Sequence, residues 1–298
     1  MTKDISGVLA IHKPTGITSR QALDAVLRIL PQVKMGHAGT LDPLASGVLV
    51  VCFGRATRLI SFVQRMRKEY LATIRLGQRS PTHDLEVEVE DAAFAGSIEL
   101  EMLERSLSQF RGDIRQVPPQ HSAVKVQGRR AYELARKGQT ASLESRPVHV
   151  ERLACTRFEF PDADLEITCS SGTYVRSLVR DIGEDLGCGA VMTSLVRAAI
   201  GPFQLKDAVE IERLDRTILA QRALPIAAAV KELPSITVPD CTRDCIAHGR
   251  PIQLPPAVML PVAGSECLLC SESGELLAVA EFYRSSQMLH PKIVLISD

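Results

Sequence analysis

Gly36-His-Ala-Gly-Thr-Leu-Asp42-Pro-Leu-Ala-Ser-Gly47, followed at once by Val48-Leu-Val-Val-Cys-Phe53, is the stretch on which the reading of this chain turns. It surrounds one carboxylate, Asp42, with glycines and small side chains. A helix is disfavoured here, because Gly36, Gly39 and Gly47 lower helix propensity and Pro43 pushes Asp42 into an extended or turn conformation. The run from Val48 to Phe53 has the length and β-branched content of a buried strand. The expected arrangement is a loop pinned to a rigid sheet, with its carboxylate presented at one end. Taken alone, an Asp before a Pro is equally a turn initiator that bonds nearby backbone amides.

Outward from this stretch, Val8–Ile11 reads as a short strand ending at Lys13-Pro14. Thr18-Ser-Arg-Gln21 has the form of a capping box, and Leu23, Val26, Leu27 and Leu30 follow at helical spacing until Pro31 stops them. Ala56–Met66 reads as a further helix and Tyr70–Leu76 as an alternating strand; Leu100, Leu103, Leu107 and Phe110 mark another helix. Val148–Phe160 with Asp164–Cys169 forms a hairpin pattern, Tyr174–Leu186 returns to helix, and Ala190–Ala199 supplies another strand. Residues 111–147, with the Gln116-Val-Pro-Pro119 break and a short helix around Tyr132–Arg136, read as an insertion. Hairpin-paired strands interrupted by helices predict an α+β fold with a mixed, mainly antiparallel sheet and flanking helices. A boundary falls near Leu233-Pro234, dividing the chain into 1–233 and 234–298. Beyond it, short apolar runs between Gly, Pro and Ser breaks predict a small all-β module.

A content of 45% hydrophobic and 23% charged residues excludes a disordered chain, and no apolar run is long enough to cross a bilayer. The first residues lack a signal-peptide core, so the expectation is a cytoplasmic protein without membrane association. Eight cysteines in such a chain read as buried thiols. Cys241, Cys245, Cys267 and Cys270 approximate a zinc spacing, but Cys267 and Cys270 fall in a strand-like run, where residues three apart face opposite ways; no metal is expected. Net charge is zero, yet the charges are segregated. Residues 84–104 carry eight acidic side chains and no Lys or Arg, whereas 111–137 carry seven basic and two acidic. A local positive face is all that phosphate binding requires, so the overall sum does not exclude RNA.

With Lys13-Pro14 upstream and Gly54-Arg-Ala-Thr-Arg58 downstream, the opening stretch resembles the TruB-type family of tRNA pseudouridine synthases, which modify the T-loop uridine, position 55. The resemblance covers roughly residues 7–205 and continues in Lys68-Glu-Tyr70, Gln116–Lys125, Ser171-Gly-Thr-Tyr-Val-Arg176, and Gly189-Ala190 with Leu195 and Arg197. It implies an isomerase that flips a uridine out of the T stem-loop, cleaves its glycosidic bond and rejoins the base through C5. It needs no metal or organic cofactor. Asp42 is then the catalytic carboxylate, acting as nucleophile or base, with Arg176 as its ion-pair partner. Tyr70 stacks on the base and is available for C5 proton exchange, and His37 fills the space that the flipped nucleotide leaves. Tyr174 and Leu195 line the uracil pocket, and Lys13 and Lys125 join the substrate contacts. His121 and the segment Arg79–Asp84 depart from the family pattern. The C-terminal stretch, with His248-Gly-Arg-Pro-Ile252 and Ser273–Ala280, resembles a PUA RNA-binding domain more loosely. Two other readings stay open at this level: a non-catalytic tRNA-binding or folding protein, and a related synthase acting on another RNA. A monomer is expected, since no heptad or long exposed apolar stretch calls for a partner subunit.

Overall fold

The computed structural model describes residues 5–94, 96–122, 124–126, 128–131, 134, 138–139, 141–255 and 264–296. Among them, ten strands form one sheet: β1 (Gly7–Lys13), β2 (Met35–His37), β3 (Ser46–Phe53), β4 (Lys68–Leu76), β5 (Gly112–Gln116), β6 (Arg146–Glu159), β7 (Asp162–Cys169), β8 (Ala190–Ile200), β9 (Phe203–Gln204) and β10 (Val209–Glu210). The order is β10-β1-β3-β8-β4-β7-β6-β5, with β2 paired to β3 and β9 to β8. Pairing is antiparallel except where β3 meets β8 and β1 meets β10. The sheet is therefore mixed and mainly antiparallel. Residues far apart in sequence become neighbours at its centre, in the order β3-β8-β4.

β3 is apolar without alternation because both its faces are covered. Leu49, Val51 and Phe53 pack against Leu23 and Val26 of α1 (Ser19–Ile29), whereas Val48, Val50 and Cys52 face Ala56, Leu59, Phe62 and Val63. Each such side chain contributes roughly 1.5–3 kcal/mol by leaving water. Helix α1 begins where the capping box places it: the Gln21 amide donates to Thr18 Oγ1 at 3.2 Å, and the Thr18 amide donates to Gln21 Oε1 at 2.8 Å. The stretch expected as one helix over Ala56–Met66 is a 3-10 segment, Gly54–Leu59, that runs into α2 (Ile60–Arg65). α3 (Leu100–Gln109) and α4 (Val175–Asp185) cover the far half of the sheet, placing Leu103, Leu107, Leu178, Val179 and Ile182 on Ile74, Leu165 and Ile167. The helix expected around Tyr132–Arg136 lies outside the described residues.

Past α5 (Arg216–Arg222), a second sheet holds β11 (Ser235–Thr237), β12 (Ile252–Gln253), β13 (Glu266–Cys270), β14 (Leu276–Tyr283) and β15 (Met288–Val294), in the order β11-β13-β14-β15-β12. Among the described residues, a 3-10 turn (Asp240–Thr242) and the short α6 (Arg243–Ala247) depart from the all-β expectation; segments of three and five residues carry no readable periodicity. This module shares a core with the first, because Leu268, Leu276, Val279 and Leu295 pack in the same cluster as Leu59, Phe62 and Val63. Arg55 and Arg58 donate to the carbonyls of Leu295 and Val294, and Arg65 pairs with Glu266 at 2.7 Å.

Cys267 is buried in β13 and donates to Ala280 O at 3.7 Å, while Cys270 accepts from Ser235 Oγ at 3.3 Å. Among the described residues, no group of three or more His, Cys, Asp or Glu is placed to hold a metal ion. No helix among them is long and apolar enough to cross a membrane.

Candidate active site

Asp42 lies in the loop between β2 and β3, and that loop is tied down on both sides of it. The Leu41 amide donates to Ser19 Oγ at 2.8 Å, and the same hydroxyl donates back to Leu41 O at 3.0 Å. The Gly16 amide donates to Pro43 O at 2.8 Å, and the Ala45 amide closes a turn on Asp42 O at 3.1 Å. Asp42 is therefore a turn residue whose side chain projects from an anchored loop.

That side chain meets Arg176, on the first turn of α4. Arg176 Nε lies 3.0 Å from Asp42 Oδ2, and Nη1 lies 3.4 Å from Oδ2 of a second carboxylate, Asp84. Two further donations, to Thr82 O at 3.2 Å and His121 O at 2.9 Å, orient the guanidinium. Asp84 has no exposed surface; its Oδ1 accepts from Thr82 Oγ1 at 2.5 Å and from the Glu86 amide at 3.0 Å. Asp42 keeps 35% of its side-chain surface exposed at the mouth of this cluster. Burial pushes its carboxyl above the usual range; Arg176 opposes the rise, Asp84 adds to it and Lys13 opposes it.

The remaining candidates surround this pair unequally. Tyr70, on β4, is 9% exposed, and burial raises its phenol above the ordinary value against the pull of Arg197. His37 ends β2; burial and then the charge of Arg197 lower its pKa, and its buried Nδ1 has no hydrogen-bond partner among the described residues. Tyr174 caps α4, held by Gln116, whose side chain accepts from the Tyr174 amide at 2.8 Å and donates to its carbonyl at 3.1 Å. Leu195 sits on β8 in the core cluster that also contains Leu41 and Tyr70. The side chain of Lys125 lies outside the described residues.

Lys13, expected among the substrate contacts, is buried. It has no exposed surface, and its ammonium donates to Pro14 O at 2.8 Å and Ile17 O at 2.7 Å, closing the turn that supports Pro43. Burial pulls its pKa down to about 8, with Asp42 opposing and Arg197 assisting.

Two residues of the cluster were not assigned a role from sequence. Asp84 is one of eight acidic residues in its segment, and nothing local separates it from the solvated ones. Arg197 carried a signal, a cation inside the apolar run Leu195–Ile200, which a buried strand tolerates only when the charge has partners.

A carboxylate held by arginine at the mouth of a buried cluster is suited to nucleophilic or proton-transfer chemistry. The fold has known counterparts. A protein solved in a Cbf5-Nop10-Gar1 complex superimposes with a TM-score of 0.77 over 98% of this chain and 85% of its own, at 26% identity. The model of the TruB family pseudouridylate synthase N-terminal domain matches residues 27–175, and that of the tRNA pseudouridylate synthase B C-terminal domain matches 176–232. Fold and family match are those of a pseudouridylate synthase. The tRNA pseudouridine synthase B of Vibrio parahaemolyticus is 36% identical over 309 residues, spanning 99% of this chain and 97% of that protein. Its namesake in Mycobacterium tuberculosis is 40% identical over 270 residues, spanning 83% and 91%. The chain belongs to the TruB family of pseudouridylate synthases.

Proposed function

We propose that this protein converts uridine to pseudouridine in the T loop of tRNA, at position 55, with Asp42 as the reacting carboxylate. The observation that carries the reading is the 3.0 Å contact between Arg176 Nε and Asp42 Oδ2 at the open mouth of an otherwise buried cluster. A guanidinium there keeps the carboxylate ionised and aimed although burial works against its charge.

The reaction breaks the bond from N1 to the ribose, turns the uracil and forms a bond from C5, so N1 gains a proton and C5 loses one. No electrons leave the RNA and no net water is consumed, so protein side chains suffice. Asp42 serves either by adding to the sugar or the base, or by taking a ribose proton. Tyr70 is the surface on which the uracil stacks, Tyr174 and Leu195 are the pocket wall, and His37 occupies the space vacated by the extruded nucleotide. Unstacking that base costs a few kcal/mol, which contacts elsewhere must offset. The basic stretch 111–137, including Lys125, supplies phosphate contacts on the catalytic unit, residues 1–233. Residues 234–298 form a PUA-like RNA-binding unit.

The test is Asp42→Asn assayed for tritium release from C5-labelled uridine in a T-arm stem-loop, alongside binding of the same RNA. Binding should persist and release should vanish; turnover near wild type sinks the assignment. Sequencing tRNA for pseudouridine in cells with and without the gene then tests the position.

A further inference from the structure

Arg197 heads the fully buried side chains by size among the described residues, at 2% exposure. Strand pairing sets it directly opposite Tyr70 of β4 on one side and Gly47 of β3 on the other. Cross-strand partners stand close enough for their side chains to interact. Its guanidinium then reaches into the Asp42 loop: Nη2 donates to Gly39 O at 3.0 Å, Nη1 to Thr40 O at 3.4 Å, and Nε to Val48 O at 2.8 Å. Tyr70, its cross-strand neighbour, also works against the burial that lowers the Arg197 pKa. These hydrogen-bond partners are neutral, so the cation is not held by an ion pair of its own. Burying such a charge is expensive, and an apolar side chain would fill the same volume more cheaply.

We infer that Arg197 is a positioning residue for the isomerisation: one rigid fork fixes the Asp42 loop and the Tyr70 ring relative to each other. Carboxylate and ring then meet the flipped uracil at a set spacing. The inference rests on the reading of Asp42 and Tyr70 as the groups that meet the base. Planarity is the property that matters. A guanidinium presents several donors in one plane, enough to span two loop carbonyls and a strand carbonyl while lying beside the cross-strand Tyr70, whereas an ammonium is a point charge that cannot reach all of them.

Arg197→Lys, Tyr70→Phe and the double variant test this in single-turnover tritium release at saturating enzyme, with stem-loop affinity measured in parallel. Arg197→Lys should slow the chemical step by about 100-fold, the order expected for an ångström of misplacement, and leave RNA affinity unchanged. Because the two side chains act as one unit, the double variant should be no slower than the slower single variant. The arginine nitrogen NMR spectrum gives a second readout in which the protected Nε–H of Arg197 should move in Tyr70→Phe. That arm decides alone if Arg197→Lys does not fold or Tyr70→Phe has no measurable turnover. Rate losses that multiply, a loss confined to affinity, or an unmoved Arg197 signal overturns the inference. Asp42→Asn run in the same assay keeps the two claims apart, since its turnover would overturn the reading of the site rather than this one.

Discussion

Replacing Asp42 by asparagine should stabilise the protein at neutral pH while it removes activity. Arg176 stands between two carboxylates, Asp42 and Asp84, and is shared by both. The Asp42–Arg176 attraction is worth on the order of 4 kcal/mol at close range and an effective dielectric constant near 20. Lys13 adds to it and Asp84 works against it, yet burial, the largest influence on Asp42, sets the net direction upward. Its folded pKa is raised, so the protonated form favours folding: that stability is fully present below the unfolded value of 3.8 and is lost as pH rises through the folded value. At neutral pH the ionised carboxylate is a net cost, reduced by water at the 35% of its surface that stays exposed to on the order of 1 kcal/mol. Asparagine keeps the shape without the charge, and Arg176 retains Asp84, Thr82 O and His121 O. Urea unfolding at pH 7 should show Asp42→Asn with a midpoint higher by about 0.3 M, taking a slope of about 3 kcal/mol/M for a chain of this size. The gap should close as pH falls toward 4, where the native carboxyl takes up its proton. An asparagine variant less stable than wild type at pH 7, or an advantage that grows toward acid, refutes the argument.

Other substitutions test the supporting geometry. Gly47→Ala, at φ +112° and with its Cβ 2.3 Å from Arg197 O, should cost about 3 kcal/mol or more and reduce turnover; an unchanged urea midpoint would show that β3 and β8 have room to part. Asp84→Asn removes a charge that raises the Asp42 pKa, so the acid limb of the single-turnover rate should move to lower pH, and a shift the other way contradicts the cluster. A chain ending at residue 233 uncovers Leu59, Phe62 and Val63, which now pack against the C-terminal sheet; it should bind a hydrophobic dye and lose its cooperative melt, and a sharp melt at the full-length temperature would mean the two units fold independently.

What was legible in the sequence was what is encoded over a few residues. The capping box at Thr18, the continuous apolar run of β3 and the glycine-bounded loop each declare themselves locally, and each stands where its pattern implies. Asp42 and Arg176 could be paired before the structure only through motif resemblance, because their own neighbours leave one a turn residue and the other a helix-start arginine. The parts left unread are contacts across long stretches of chain. Arg197 meets Val48 over a separation of 149 residues, and Arg55 meets Leu295 over 240. No periodicity or spacing rule reaches so far. Burial was the missing variable as well, since Lys13 and Asp84 look like ordinary surface charges until the fold removes their exposed surface.

The order β3-β8-β4 explains why such distant residues had to meet. β8 arrives last in the chain and inserts between two strands laid down much earlier, pairing with β3 through Val196 and Arg197 and with β4 along nearly its whole length. The match to the family's two models divides the chain at residues 175 and 176, so Asp42 and Tyr70 fall in the first part and Arg176, Leu195 and Arg197 in the second. On the proposed reading, neither part holds a complete site. The carboxylate comes from one and both cations that orient it come from the other, joined by backbone hydrogen bonds within a single sheet. A central strand that also carries the positioning arginine couples completion of the sheet to completion of the site. A chain in which β8 has not yet docked would leave the Gly39, Thr40 and Val48 carbonyls without the Arg197 donor and Asp42 without a set depth. On the proposed reading of the site, the strand that closes the central sheet is also the one that completes the site.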